Sequence, residues 1–428
     1  MTATISSIER NLCSVLGAEQ IRSASPTDAV SGVQPQIVLE PTTERQLADS
    51  LRLANEDGFT VIPRGGATKL AWGNPPARAD LVLSTARLNR VLEHAHSDLT
   101  VIVEAGCTIQ TLQETLAQRG QRLAVDPLWP EKATVGGVLS TNDSGALRLR
   151  FGALRDLIIG VTIALPDGTL ASSGGKVVKN VAGYDLPKLV TGALGTLGII
   201  TRAVFRLHPL PHNSHSFSIM TPNLAATREL IFAIQNSKLA HTALQSHFTD
   251  EAMPTSDILF EGTEAGLDAQ AAQLRALCKP AELLEAPPAV WNTRQDLWSS
   301  STPQADPEAA SFVIAKVSLL PSDLARVVEF FHRAADSNRV RWKSLIYATG
   351  LGCLRLDGPS ENLCHAVLAL RSSLEKLGGS LVLLHRPAEL FSLDAWGTPG
   401  DSLSLMKAIK HQLDPASTLN PDRFLGGI

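Results

Sequence analysis

The chain has 428 residues, 44% hydrophobic and 19% charged, with a formal net charge of −4. That length suffices for two or three domains, and the mixed charge gives no polyanion-binding stripe, so nucleic acid is not expected as a partner. Five scattered cysteines (Cys13, Cys107, Cys278, Cys353, Cys364) without CxxC spacing exclude an iron–sulfur cluster, a zinc site and a disulfide framework, so no metal is expected, and reduced thiols fit best.

The opening MTATISSIERNLCSVLG has no basic stretch leading into a long apolar run, so no signal peptide is expected. No segment approaches the roughly twenty apolar residues of a spanning helix. Residues 43–58 predict an amphipathic helix: Thr43 is a capping residue with Gln46 at capping-box spacing, Leu47, Leu51 and Ala54 share a face, and Gly58 follows as a stop. Strands are expected at Thr60–Pro63, Asp80–Thr85 and Leu99–Gly106 from their apolar, β-branched runs. TIQTLQETLAQRG reads as a second amphipathic helix, with Ile109, Leu112 and Leu116 on one side. Beyond the break HPLPH (His208–His212), two successive stretches each read β-α-β-β-α-β. They predict two ferredoxin-like halves forming one antiparallel sheet with helices on one face. Pro287–Ala310 is a polar connector between them, whose Trp291 and Trp298 call for burial.

Glycine placement carries the functional signal. Twelve glycines fall within residues 134–201, in the order TVGGVLSTNDSG, RFG, PDG, GYDLPKL and GALGTLGIIT. Glycine permits close backbone approach and positive φ, so such turns between apolar strands point to a ligand held by main chain. In FTVIPRGGATKL a strand runs into Pro63, Arg64, Gly65, Gly66, Ala67, Thr68 and Lys69. Successive N–H groups there can form an anion nest, with Arg64 and Lys69 adding positive field. PRGG alone is equally an ordinary tight turn. Gly192, Gly195 and Gly198 give G-x-x-G-x-x-G followed by a strand-like IITRAVFRL, which is not the dinucleotide fingerprint between strand and helix.

The combination of PRGGATK, DP…TVGG…TNDSG, RFG…PDG and GYDL…GTLGIIT resembles the vanillyl-alcohol-oxidase-type (PCMH-type) FAD-binding family, over roughly residues 33–210. Within it, GGKVVKNVAGYDLPKLVTGALGTLGIITRAVFRLHPLP resembles the FAD-binding (E) subunits of glycolate oxidase. The resemblance implies an α+β fold: a two-part PCMH-type FAD-binding domain at residues 1–212, a ferredoxin-like antiparallel cap domain at 213–390, and a segment at 391–428 returning to the flavin domain. By the same resemblance, Pro63–Lys69 would wrap the FAD pyrophosphate. Asp126, Pro127, Thr134, Val135, Gly136 and Gly137 would approach the ribityl chain and isoalloxazine. Thr141, Asn142, Asp143 and Ser144 would add hydrogen bonds. Leu194, Gly195, Thr196, Leu197, Gly198, Ile199 and Ile200 would run along the cofactor. No His or Cys stands in the first loop to tether flavin, so non-covalent FAD is expected. GALGTLG departs from the family's frequent GSEGTLG, placing Ala193 and Leu194 where serine and glutamate are common. Tyr184 and Asp185 read either as an acid–base pair or as a packed ring and a turn cap. Lys176 and Lys179 read either as a screen for an anion or as a solvated face.

Dehydrogenases of the family carry two cap motifs, near H-x-G-D-G-N-L-H and G-G-x-x-x-x-E-H-G. The first aligns here with residues 347–355, where Ala348, Leu351, Cys353 and Arg355 occupy the metal- or proton-handling positions. The second aligns with GGSLVLLHR, keeping His385 but placing Leu384 and Arg386 where glutamate and glycine are expected. His385 is the one candidate catalytic residue, and it reads equally as a packed side chain. Three functions stay open. The first is an FAD-binding subunit of a glycolate-oxidising complex, with a catalytic flavoprotein subunit and an iron–sulfur subunit as partners and a small 2-hydroxy acid as substrate of the complex. It would be cytoplasmic, or peripheral on the inner face of the cell membrane through that complex. The second is a stand-alone FAD-dependent 2-hydroxy-acid dehydrogenase using His385, Arg355 and Arg386. The third is a structural subunit with a vestigial flavin pocket.

Overall fold

The computed structural model describes residues 5–176, 184–279, 281–299 and 311–428. Lys179, and the stretch of GGKVVKNVAG around it, lies outside the described residues. Contacts divide the chain into two units: Met1–Ser144 with Gly152–Leu210 and Thr398–Ile428, and Gly145–Phe151 with Pro211–Gly397.

The first unit opens with helix α1 (Ile5–Leu16) and a four-stranded sheet ordered β1-β2-β4-β3. Strand β1 (Ile21–Ser23) is antiparallel to β2 (Ile37–Leu39), whereas β2 and β3 (Val61–Arg64) both run parallel to β4 (Leu81–Ser84). Parallel strands joined by a crossover helix are covered on both faces. Accordingly Ile37, Leu39, Val61, Leu81 and Leu83 pack with α1 and α2 (Glu44–Glu56), while Val38, Ile62 and Val82 face a second cluster with Val30 and Ala79. Thr43 caps α2 as expected, accepting from Gln46 N at 3.1 Å. The Gln46 carboxamide, however, reaches back to Thr42 N rather than to Thr43 N.

The unit's second lobe is an antiparallel sheet ordered β5-β6-β10-β8-β9: β5 (Val91–Ala95), β6 (Thr100–Glu104), β8 (Ile158–Ala164), β9 (Leu170–Gly174) and β10 (Ile199–Arg206). A short pair, β7 (Gln121–Arg122) with β11 (His208–Pro209), lies beside it. Helices α3 (Ile109–Ala117), α4 (Val135–Thr141), α6 (Leu154–Leu157) and α7 (Leu186–Val190) bury Leu112, Leu116, Val138, Leu157 and Val190 against Val101, Val103, Val161 and Phe205. Helix α4 was not legible in the sequence, where Gly136 and Gly137 read as a turn. Two glycines cost helix propensity, but Thr134 caps the first turn and Val138 and Leu139 are fully buried. The strand following the 192–198 glycines is β10, as expected. Asp185 caps α7 by accepting from Lys188 N, as the turn-cap reading expects, but Tyr184 is 92% exposed, so its ring is not packed. Lys176 pairs with exposed Glu93 at 2.6 Å, the solvated reading.

The second unit begins with the short helix α5 (Arg148–Phe151) and is built on an eight-stranded antiparallel sheet, β15-β12-β14-β13-β17-β18-β16-β19. One half comprises β12 (Asn213–Met220), α8 (Leu224–Gln235), β13 (His241–Thr249), β14 (Thr255–Gly262), α9 (Glu264–Cys278) and β15 (Leu283–Glu285). The other comprises β16 (Phe312–Ser318), α11 (Leu324–Asn338), β17 (Arg341–Tyr347), β18 (Leu351–Asp357), α12 (Ser360–Glu375) and β19 (Ser380–His385). Both halves have the same spatial order and meet along β13 and β17. All four long helices pack on one face, over Phe217, Leu244, Ile258, Val313, Ile346 and Leu354. The connector places α10 (Thr293–Asp296) and its flanks on the opposite face, where Val290 O accepts from Gln245 and Trp291 Nε1 donates to Ser216 Oγ.

All five cysteines are free. Burial, with Glu104 nearby, pushes the Cys107 thiol up to about 11. No described helix is long and apolar enough to cross a membrane.

The C-terminal helix α13 (Leu403–Leu413) returns to the first unit and pins it. Buried Lys410 donates to Asp414 Oδ2 (2.5 Å), Thr196 O (2.9 Å) and Leu419 O (2.9 Å). Removing one member of a buried ion pair strands the other's charge and typically costs about 3–5 kcal/mol. Lys410→Met is therefore expected to lower the first unit's unfolding free energy by about that amount in urea titration. A loss within about 0.5 kcal/mol, the range of an ordinary surface substitution, would contradict the pin.

Candidate functional site

A cleft lies in the first unit. Its walls bring together Pro63, Arg64, Gly65, Gly66, Ala67, Thr68 and Lys69 after β3, Thr134, Gly136, Gly137 and Thr141 of α4, and Leu194, Gly195, Gly198, Ile199 and Ile200 leading into β10. Asp126, Pro127, Val135, Asn142, Asp143, Ser144, Thr196 and Leu197 do not line it. Leu70, Thr85, Ser140, Asn420 and Arg423 do, and sequence reasoning missed them. The signal for the last two was the polar NPDR within a tail already read as returning to this domain.

The glycines serve two separate purposes. A Cβ on Gly65 would lie 2.1 Å from Thr134 Oγ1, and one on Gly66 would lie 1.7 Å from Lys132 O. These two glycines let the first loop rest directly on the 132–134 segment. Gly137 differs: a Cβ there would meet only Thr134 Oγ1, at 3.2 Å, and otherwise open space. Its missing side chain keeps the cleft clear. Ala67 (φ 60°) and Leu194 (φ 52°) hold left-handed conformations uncommon for non-glycine residues, as strained positions at functional sites do. Leu194 is fixed there by N–H donation to Ser140 O (2.8 Å) and by Asn420 Nδ2 donating to its carbonyl (2.6 Å).

Among the described residues, no acceptor lies on the N–H groups of Gly65, Gly66, Ala67 and Thr68. Four successive unpaired N–H groups form an anion-binding concavity. Side-chain charge in the loop is already engaged. Arg64 Nη1 donates to buried Asp28 at 2.5 Å, and Arg22 makes a two-pronged contact with the same carboxylate at 2.8 Å. The Arg22 hydrogen bonds, with those of Arg64 and Ser25, hold the Asp28 carboxyl far below the usual range against the opposing effect of burial. Lys69 pairs with Asp143 at 3.3 Å. The anion site thus rests on main chain, with the expected field of Arg64 and Lys69 largely compensated. Arg423 is buried, and burial pushes it down to about 10; it donates to Leu70 O (2.5 Å) and Trp72 O (2.7 Å) and so fixes the wall beside Lys69.

In the second unit, the side chains at the aligned motif positions are engaged within the protein. Arg355 directs Nε and Nη2 at Asp357 (2.9 and 2.6 Å) and Nη1 at Leu297 O and Ser299 O (2.7 and 2.9 Å). His385 stacks on Phe312 (4.4 Å between ring centres, 26°), with Trp298 edge-on at 6.0 Å. Burial, and then the charges of Arg355 and Arg386, hold its imidazole below the ordinary histidine range. Arg386 is buried and donates to Leu390 O. A different pair, unremarked in the sequence, stands on β13 and β14: His247 Nε2 hydrogen-bonds the Asp257 carboxylate, which also accepts from Ser218 Oγ (2.5 Å) and Gln245 Nε2 (3.2 Å). Among the described residues, no three His, Cys, Asp or Glu side chains gather as a metal site.

Residues 35–174 match the model of the FAD binding domain family. Over 91% of its length, this chain is 26% identical to glycolate oxidase subunit GlcD of Bacillus subtilis (strain 168) and 27% identical to D-2-hydroxyglutarate dehydrogenase of Xanthomonas citri pv. viticola, covering 89% of each. Among solved structures, p-cresol methylhydroxylase with substrate bound superposes with a TM-score of 0.78 at 14% identity, over 98% of this chain and 96% of that one. An alkyldihydroxyacetonephosphate synthase does so with a TM-score of 0.75 at 18% identity, over 99% and 86%. These structures show the same fold, and the domain match supports FAD as the cofactor. The residues fit that cofactor: an unpaired N–H nest for a pyrophosphate and a glycine wall kept open at Gly137.

Gly137→Ala is expected to leave stability unchanged or raised, since alanine favours helix, while weakening FAD binding about tenfold in a fluorescence titration. Gly66→Ala is expected to lower the melting temperature of the cofactor-free protein, because its Cβ would enter the Lys132 carbonyl. Equal behaviour of the two variants would contradict the distinction between them.

Asp28 gives a pH signature. A carboxyl whose folded pKa is lowered adds stability above its unfolded value, near 4, and loses it as pH falls towards the folded value. The stability gap between wild type and Asp28→Asn is therefore expected to be constant from about pH 5 to 8 and to shrink below about pH 4. A gap that widens on acidification would overturn the assignment.

Proposed function

With residues 35–174 matching the model of the FAD binding domain family, we propose that this oxidoreductase chain is the FAD-binding subunit of a multi-subunit glycolate oxidase that converts glycolate to glyoxylate. The carrying observation is the contrast between its two units. The cleft keeps an open N–H nest and a clear glycine wall, whereas Arg355 spends its donors internally and His385 is stacked on Phe312 with Trp298 edge-on. With those side chains engaged, the aligned motif positions lack the free proton-handling groups that general acid–base catalysis needs. A catalytic flavoprotein subunit and an iron–sulfur subunit complete the assembly. It is cytoplasmic, or held peripherally on the inner face of the cell membrane by those partners.

In this reading, Gly65–Thr68 hold the pyrophosphate through main-chain N–H groups, and Gly136, Gly137, Leu194, Gly195 and Gly198–Ile200 border the rest of the cofactor. FAD supplies the two-electron chemistry, and the protein supplies orientation and water exclusion. No His, Cys or Tyr stands among the described residues lining the cleft, which supports dissociable FAD.

One observation favours a second reading, a stand-alone dehydrogenase of a 2-hydroxy acid. A histidine oriented by a carboxylate is the arrangement of a general base, and His247 with Asp257 has it.

Anaerobic mixing of the purified chain with glycolate or D-lactate tests both. Under the subunit reading, the protein shows flavin absorbance, releases intact FAD on mild acid denaturation, and bleaches slowly or not at all. Adding the partner subunits then restores turnover. Since acid–base catalysis contributes about 10²–10⁴ in rate, rapid bleaching by the chain alone, lost on His247→Ala but kept in His385→Ala, would establish the second reading and reject the first. Flavin that stays on the denatured polypeptide would reject non-covalent binding.

A further inference from the structure

Lys69 ends the loop that forms the anion nest, which invites the role of a phosphate ligand. Its surroundings point elsewhere. The ammonium lies 3.3 Å from Asp143 Oδ2 and 3.3 Å from Leu128 O, and both side chains of the ion pair are under 5% exposed. The same Asp143 Oδ2 accepts from Leu128 N at 2.9 Å. Lys69 and Asp143 thus take hold of both main-chain polar groups of one residue.

Two indoles enclose the ammonium. Trp72 lies 5.8 Å and Trp129 5.7 Å from it, within cation–π range. Trp129 has φ 53°, a left-handed conformation costly for a bulky side chain. Such a conformation persists only where surrounding contacts over-determine it. Trp72 is itself held through its carbonyl by buried Arg423.

We infer that Lys69 is a positioning residue rather than a phosphate ligand: with Asp143, and caged by Trp72 and Trp129, it latches the strained 128–129 segment to the cleft wall and so sets how tightly FAD is retained. This rests on the cleft being an FAD site. It goes beyond that assignment by giving the ion pair a main-chain segment, not an anion, to hold. The two roles differ in sign at Asp143. For a phosphate ligand, neutralising Asp143 releases a full positive charge and strengthens anion binding. For a latch, it loosens the segment and weakens FAD.

The test compares wild type, Lys69→Met, Asp143→Asn and the double variant. Equilibrium binding is measured for FAD and separately for ADP, which has the pyrophosphate but no flavin; tryptophan emission of the cofactor-free protein reports the cage. Wild-type FAD binding is the control, and its failure would remove the cofactor assignment rather than the latch. Expected results are an FAD dissociation constant raised about tenfold by either single change and no further by both, since residues in contact couple strongly. ADP affinity stays within about twofold, as no phosphate contact is lost. Emission shifts alike in the two single variants. Unchanged or tighter FAD binding in Asp143→Asn overturns the latch, as does a parallel loss of FAD and ADP in Lys69→Met. If Lys69→Met does not fold, the nearly isosteric Asp143→Asn decides alone through the sign of its effect on FAD.

Discussion

The candidate FAD cleft depends on two stretches of backbone approaching closer than any side chain would allow. Gly65 and Gly66 rest against Thr134 and the Lys132 carbonyl, and that contact alone lets the loop after β3 and the start of α4 share one cleft. With the loop so placed, the N–H groups of residues 65–68 point away from protein acceptors. A nest of this kind needs no formal charge, and the nearby charges are indeed paired off, Arg64 with Asp28 and Lys69 with Asp143. The site is electropositive through oriented peptide dipoles rather than through ammonium or guanidinium groups.

The C-terminal tail turns this arrangement into a rigid one. Val61 donates to Thr418 O and Asn420 donates to Val61 O, so the tail pairs with β3 just before the loop. From there Asn420 fixes Leu194, Lys410 fixes Thr196, and Arg423 fixes residues 70–74. Each of these side chains is buried and donates to carbonyls. Carbonyls engaged from behind leave the opposite side of each loop free to face the cleft. The second unit follows another logic. Its two similar halves give one continuous sheet with a single helical layer, and the polar groups of its other face are spent holding residues 290–299.

Much of this was legible in the sequence, and what was not has identifiable causes. The fold class and the alternation of elements followed from hydrophobic period and turn residues, which are local. The strand after the 192–198 glycines was readable because Ile199, Ile200, Thr201, Val204 and Phe205 make a run rich in β-branched and aromatic residues. Helix α4 was hidden because its two glycines argue against helix, and its stability comes from burial of Val138 and Leu139. Asn420 and Arg423 were hidden because their partners lie more than 200 residues away in the chain. The partners of Arg64, Lys69 and Gly66 were hidden for one shared reason: a loop read in isolation does not reveal Asp28, Asp143 or the Lys132 carbonyl. His385 stood out as a chemical residue, yet Phe312 and Trp298, which decide its environment, come from separate parts of the chain.

Amide hydrogen exchange on the cofactor-free and FAD-loaded chain tests the main-chain basis of the site most directly. FAD is expected to slow exchange strongly across residues 65–68, whose N–H groups have no acceptor among the described residues, with little change at Val61, whose N–H already donates to Thr418 O. Unaltered exchange at 65–68 in a protein that carries stoichiometric FAD would contradict a site built on backbone donors.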